Sequence, residues 1–249
     1  MTGEPNTTDA PELDEARYRE AIYRTLASLF SDAPSAQALG ALIEAADGEA
    51  TDGLQRPSER EFCAYLRTLS DANLNELRTK VASEYAELFV GPRPPLAPLY
   101  ESVYRGGPRR LFSEQTMRVR AFYERCELTV ANSGRVPDDH VAFELELMAR
   151  LTQREAEAVQ RGLAEEALGI KALQREFLTH HLGRWIGLLC ERVCAAPCSD
   201  FYAALANLAC SFVREDAAGL AASIRRLEGS TRLQDQEATS PTTFDQKKD

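Results

Sequence analysis

Apolar residues recur along most of the chain at intervals of three and four, the spacing that places side chains on one stripe of an α-helix. Tyr18, Ile22, Leu26, Leu29 and Phe30 form the first stripe, with Asp14 predicted to cap it. Ser35 opens a second, Ala-rich helix reaching about Ala46, and Ser58 with Glu61 reads as a capping box for a third. Asn73 with Glu76 repeats the signal ahead of Leu74, Leu77, Val81, Tyr85, Leu88 and Phe89, and Gly91-Pro92 stops that helix. Ser113 is predicted to cap a helix burying Met117, Phe122 and Tyr123. Pro137 suits a first helical turn and Asp138 and Asp139 its positive end, while Val141, Leu145, Met148 and Leu151 continue the apolar face.

The helical pattern returns over 165–193, with a break near Gly183. Ser199 then caps a helix carrying Phe201, Tyr202, Leu205, Leu208 and Phe212, and Asp216 starts a last one ending near Gly229. No stretch alternates with period two over several residues. The prediction is an all-α, single-domain helical bundle of about nine helices over 14–229. A flexible N-terminus (1–13) precedes it and a polar, disordered C-terminal tail (230–249) follows.

One interval resists this pattern. Five of the twelve prolines fall between residues 91 and 111, where the missing amide and ring clash exclude a helix. The same interval carries Leu99, Tyr100, Val103 and Tyr104, and a long aromatic loop within a compact domain is packed down or functional.

Composition narrows the function classes. A net charge of −10 lacks the basic face that nucleic-acid binding needs, and it permits a basic partner. Charges in the tail nearly cancel, so the acidic excess lies in the helices. The polar, acidic start has no secretory-signal pattern, and the longest strongly apolar run, 185–190, is far below the ~20 residues of a membrane span. Six cysteines in 249 residues are too sparse for a disulfide scaffold, which points to the reducing cytoplasm. Cys190, Cys194 and Cys198 would share a helical stripe, but they lack a metal-binding C-x-x-C pair and Pro197 interrupts them. Small buried hydrophobes are the reading favoured over a soft-metal or redox site.

No nucleotide-binding glycine fingerprint, nucleophile elbow or H-E-x-x-H motif is present. His140 with Glu144 and Glu176 with His180 are i,i+4 pairs that could meet across a bundle as a metalloenzyme site. Their spacing is not the Glu-x-x-His of helical di-iron proteins, and helix-surface hydrogen bonding accounts for both pairs. Capping explains Asp138 or Asp139, but not a titratable imidazole at His140, where structural and functional readings both stand.

Two segments carry a wider likeness. One is 84–92 (Glu-Tyr-Ala-Glu-Leu-Phe-Val-Gly-Pro) followed by 98–104 (Pro-Leu-Tyr-Glu-Ser-Val-Tyr); the other is 136–148, opening Val-Pro-Asp-Asp-His. Phe177-Leu178 with His181-Leu182 and Trp185, and Phe201-Tyr202 with Leu205-Ala206, follow in order. Over about 15–228 the chain resembles the TorD/DmsD/NarJ family of redox-enzyme maturation chaperones. Arg135 and Val136 stand where that family often has an acidic residue before the signature proline.

The resemblance implies a cytoplasmic, non-enzymatic protein without cofactors of its own. Its partners would be the apo form of a molybdopterin oxidoreductase catalytic subunit and the twin-arginine leader peptide of that subunit. The chaperone would hold the subunit until cofactor insertion and then release it for export or assembly. A monomer or a domain-swapped dimer is compatible with this helical fold. The family's signature maps onto Pro137, Asp139 and His140, and its Tyr/Glu-Ser segment onto Tyr100, Glu101 and Ser102. On this reading Glu101, Asp138 and Asp139 meet the leader's arginines, Leu99, Tyr104 and Phe143 meet its apolar part, and His140 orients the carboxylates. A metalloprotein enzyme using His140, Glu144, Glu176 and His180 is the alternative.

Overall fold

A computed structural model of the chain describes residues 10–48, 56–106, 114–129 and 136–238, with side chains described up to 226. Ten α-helices and one π-helical turn account for these residues, and no strand is present among them. The helices are α1 (Ala10–Ser31), α2 (Ala36–Asp47), α3 (Pro57–Arg67), α4 (Leu74–Tyr85), α5 (Glu101–Arg105), α6 (Glu114–Arg125), α7 (Val141–Gln160), α8 (Ala164–His180), α9 (Leu182–Ala195) and α10 (Phe201–Ala238). Helices α1, α7, α8, α9 and α10 form the packed centre, with α2, α3 and α4 at one side and α5 and α6 at another. One contiguous core runs through it, from Tyr23, Leu26 and Phe30 to Leu145, Met148, Phe177, Trp185, Tyr202 and Phe212.

The helix signals hold where they are local. The Ser35 side chain accepts from the Ala38 amide, and Asn73 Oδ1 accepts from the Asn75 and Glu76 amides. Helix α4 passes into the π-turn Ala86–Val90 and stops at Gly91, whose φ of +50° suits a residue without a β-carbon.

Several boundaries differ from the sequence reading. Helix α1 starts at Ala10 because Pro11 and Glu12 suit a first turn, so Asp14 lies inside it and 10–13 belong to the fold. In α3, Pro57 takes the first turn, which leaves Ser58 buried rather than capping. Residues 101–105 form α5 within the segment read as non-helical, since no proline lies between Leu99 and Gly106. Met117 is exposed because α6 turns Thr116, Val119, Phe122 and Tyr123 inward; Ser113 lies outside the described residues. The break between α8 and α9 is at His181, and Gly183 permits it because a β-carbon there would collide with the Leu178 carbonyl.

The C-terminal helix departs most. Ser199 does not cap α10; the Glu84 carboxylate, arriving from α4, accepts the Asp200, Phe201 and Tyr202 amides at 3.2, 3.0 and 3.4 Å. No second helix starts at Asp216. Helix α10 runs through that residue and through 230–238, part of the segment read as a disordered tail, while 239–249 and 1–9 lie outside the described residues.

Asp216 faces inward to a buried ionic cluster. Arg19 Nε donates to Asp216 Oδ1 at 2.5 Å and Nη1 to Glu155 Oε2 at 2.8 Å, Lys171 Nζ reaches Glu155 Oε1 at 3.0 Å, and Tyr23 donates to Asp216 Oδ2 at 2.6 Å. Gln174 bridges Arg19 and Glu155. All six residues are buried, so four helices, α1, α7, α8 and α10, meet on charges that depend on one another.

Removing one member leaves a buried partner charge uncompensated. Asp216→Ala is expected to destabilise the fold by about 3–5 kcal/mol, read as a lower urea midpoint by far-UV circular dichroism. A shift no larger than that of an exposed substitution such as Glu114→Ala would contradict this role.

Candidate functional site

The proline-rich segment is anchored before it reaches the site. The Ala97 amide donates to the Leu88 carbonyl at 2.9 Å, and Ala97 and Leu99 are buried in the core. Tyr100 then pairs with His140 in an isolated antiparallel bridge. The Val141 amide donates to Leu99 O at 2.8 Å and the Glu101 amide to Asp139 O at 3.0 Å. The Asp139 Oδ2 accepts from the Ser102 amide at 2.8 Å, so Asp139 satisfies the start of α5 while its own segment leads into α7.

Pro137, Asp138 and Asp139 precede α7 rather than forming its first turn. The N-cap is His140, whose Nδ1 accepts the Ala142 amide at 3.2 Å. Capping by Nδ1 needs that nitrogen unprotonated, and burial lowers the His140 pKa from 6.5 to about 4 despite the opposing pull of Asp139. The imidazole at this position is therefore the cap itself, packed edge-on to Tyr100 at 5.1 Å and against Phe143 at 5.5 Å.

The carboxylates lie deeper than the sequence reading placed them. Glu101, Asp138 and Asp139 are all buried. Glu101 is ion-paired with Arg105 and accepts from His181 Nδ1 at 3.1 Å. Asp138 is ion-paired with Arg120, and its carbonyl accepts the Tyr123 hydroxyl at 3.0 Å. Asp139 Oδ1 and Ser102 Oγ are buried without a hydrogen-bond partner. Arg105 and Arg120 are 23% and 32% exposed, so each buried carboxylate is closed by a guanidinium that solvent reaches.

Behind this layer Glu144 is fully buried and accepts the Trp185 indole N–H at 3.0 Å. Burial, and then the nearby Glu101 carboxylate, push its pKa well above the ordinary carboxylate range. Trp185 stacks on Tyr104 at 5.4 Å and 30°, and the Arg192 guanidinium covers Tyr104 at 4.7 Å.

All ten residues singled out from the sequence lie on the two segments that this bridge joins. Leu99 is a core residue and is not available to a ligand, whereas Tyr100, Tyr104 and Phe143 are half-buried at the edge. Beside Phe143 is a cavity of about 290 Å³ lined also by Tyr123, Leu128, Thr129, Leu147, Glu146 and Arg150. The sequence reading missed Arg105 and Arg120 and the roles of His181 and Trp185. Only Arg105 carried a local signal, four residues after Glu101 on one helix.

Three of the four residues of the metalloenzyme alternative have side chains engaged elsewhere: His140 caps α7, Glu144 holds Trp185 and Glu176 pairs with Arg125 at 2.7 Å, while His180 is exposed at the end of α8. Among the described residues no three His, Cys, Asp or Glu side chains are arranged to hold a metal, and the alternative has no geometric support. No helix among them is long and apolar enough to cross a membrane.

The site is thus a set of buried carboxylates closed by partly exposed arginines and edged by half-buried aromatics. The sequence model of the family described as "Nitrate reductase delta subunit" matches residues 32–191. The chain is 28% identical to "Chaperone protein TorD" of Shewanella pealeana over 85% of its length and 92% of that protein. It is 34% identical to "Perchlorate reductase assembly chaperone protein" of Dechloromonas aromatica over 48% of the chain and 51% of that protein, and 26% identical to "Probable Tat proofreading chaperone DmsD" of Haemophilus influenzae over 53% and 58%. The chain belongs to the TorD/DmsD/NarJ family.

The lowered His140 pKa sets a stability window. Between 6.5 and about 4 the unfolded state binds the proton more readily, so the cap's contribution is complete above 6.5 and is lost as pH falls to about 4. His140→Asn keeps a capping side chain at a cost of about 1 kcal/mol or less and should remove this part of the pH dependence. Urea midpoints from pH 7.5 to 4 check it; identical pH slopes for wild type and variant would contradict the assignment.

Proposed function

We propose that this chain is the dedicated chaperone of a molybdopterin-dependent oxidoreductase. It binds the leader peptide and apo form of the catalytic subunit in the cytoplasm, assists cofactor insertion, and delays export or assembly until maturation is complete. It carries out no catalytic turnover. Its family membership supports this reading, as do relatives named for chaperone and assembly roles.

The observation that carries the proposal is that Glu101 and Asp138 already bind guanidinium groups, those of Arg105 and Arg120. A twin-arginine leader presents two further guanidiniums of the same chemistry. Exchange needs only the outward swing of two partly exposed side chains, because each incoming charge compensates the carboxylate that its predecessor leaves. Asp139 Oδ1 and Ser102 Oγ offer acceptors with no protein partner to displace. The apolar stretch following the arginines then lies across Tyr100, Tyr104 and Phe143 and toward the cavity formed with Leu128 and Leu147.

Trp185 is the single tryptophan and stacks on Tyr104, so its emission reports on this edge. Titration with a synthetic peptide carrying a molybdoenzyme twin-arginine motif and its apolar segment should give a saturable change. Replacing both arginines by glutamine should weaken binding at least about tenfold, since hydrogen bonds to charged groups are worth about 1.5–3 kcal/mol each. Phe143→Ala should weaken the arginine peptide as well. Equal affinity for the arginine and glutamine peptides would overturn the placement.

A further inference from the structure

A cluster of thiols lies outside this site, at the contact between α9 and α10. The stripe of Cys190, Cys194 and Cys198 does not survive in the fold: α9 ends at Ala195, and Cys198 lies across the chain beside Glu84 and Glu87. Cys210 of α10 completes the cluster in its place. Cys194 Sγ lies 3.9 Å from Ala203 O, and Asn207 Oδ1 accepts from both Cys194 and Cys190, at 3.5 and 3.4 Å. A β-carbon on Gly187 would lie 3.9 Å from Cys210 Sγ. These contacts run antiparallel along the two helices and set Cys210 opposite the turn from Gly187 to Cys190.

The three thiols differ in chemistry. Cys190 is buried, Cys210 is half-buried and Cys194 is exposed. Arg214, one turn after Cys210, places Nη2 3.6 Å from its sulfur. A hydrogen bond from Cys190 S–H, and then the Arg214 charge, lower the Cys210 pKa against the opposing effect of burial, while Cys190 is held protonated as the donor. Cys210 is thus the nucleophile of the cluster and Cys190 its neighbour with a transferable proton.

Geometry also selects the pair able to join. Cys190 and Cys194 have sulfurs 3.9 Å apart, but both sit on α9. An i,i+4 pair on a helix keeps its β-carbons about 5–6 Å apart, beyond the roughly 3.5–4.5 Å of a disulfide. Cys190 and Cys210 lie on different helices, about one turn apart along the antiparallel contact that sets Asn207 against Cys190 and Cys210 against Gly187.

We infer that Cys210 is a peroxide-reactive thiolate and that Cys190 resolves it into a disulfide joining α9 to α10. In the first step the Cys210 thiolate attacks one oxygen of hydrogen peroxide; an S–O bond forms, the O–O bond breaks and hydroxide leaves, giving a sulfenic acid. In the second, the Cys190 sulfur attacks that sulfur; the S–S bond forms, the S–O bond breaks, and the departing hydroxide takes the Cys190 proton as water. Two thiols lose two electrons and one peroxide is reduced. The bond ties α10 to α9, the helix that carries Trp185 and Arg192 against Tyr104.

The test uses the full-length, reduced protein. It is exposed to one equivalent of hydrogen peroxide, blocked with N-ethylmaleimide, digested and analysed by mass spectrometry. The expected product is a Cys190–Cys210 cross-linked peptide, with Cys63, Cys126, Cys194 and Cys198 alkylated. In Cys190→Ser, a dimedone probe should label Cys210 as the sulfenic acid, and Arg214→Gln should slow Cys210 oxidation several-fold. Oxidation of Cys210 no faster than that of half-buried Cys63, pairing of Cys210 with Cys194, or only intermolecular disulfides would each overturn the inference.

Discussion

Asp139 is the residue on which the architecture of the site depends. Its carbonyl accepts the Glu101 amide, its carboxylate accepts the Ser102 amide, and the next two residues pair with Tyr100 and Leu99. These contacts join a proline-rich segment, with few amides to offer, to the start of a twenty-residue helix. They direct Glu101 inward to Arg105 and His181, and leave Tyr100 and Tyr104 at the edge. The isolated bridge thus does the work of a sheet at one point, fixing two chain segments by backbone geometry.

The molecule holds buried charge in two places, with different consequences. In the Arg19, Glu155, Lys171 and Asp216 cluster both the cations and the carboxylates are buried, at 2–5% side-chain exposure. Around Asp139 the carboxylates are buried but the arginines facing them reach solvent. A charge pair of the first kind resists exchange; one of the second kind permits it, because the incoming cation replaces the outgoing one. This difference, and not the overall charge of −10, is what the proposed binding of a basic peptide rests on.

The sequence made local signals legible and left long-range ones hidden. Asn73 and Ser35 were readable as caps because each acts on amides two or three residues away. Glu84 was not readable as the cap of α10, since its amide partners lie 116–118 residues further on. Asp216 resembled a helix start because an acidic residue after an apolar run usually marks one; its partner Arg19 is 197 residues away. The family resemblance mapped Tyr100, Glu101, Ser102, Pro137, Asp139 and His140, and the chemistry of a basic leader added the other four, yet periodicity could not show that Glu101, Asp138 and Asp139 face inward. Arg120 escaped notice because nothing in its surroundings along the chain connects it with Asp138.

Hydrogen exchange read by mass spectrometry, on the free protein and with a twin-arginine leader peptide bound, tests the central claim most directly. The clasp around Asp139 predicts slow exchange of the Glu101, Ser102 and Val141 amides in the free chain. Peptide-dependent added protection should then be confined to segments overlapping 99–105 and 137–143 and the adjoining cavity. Unchanged exchange there, with new protection appearing at another surface, would contradict it.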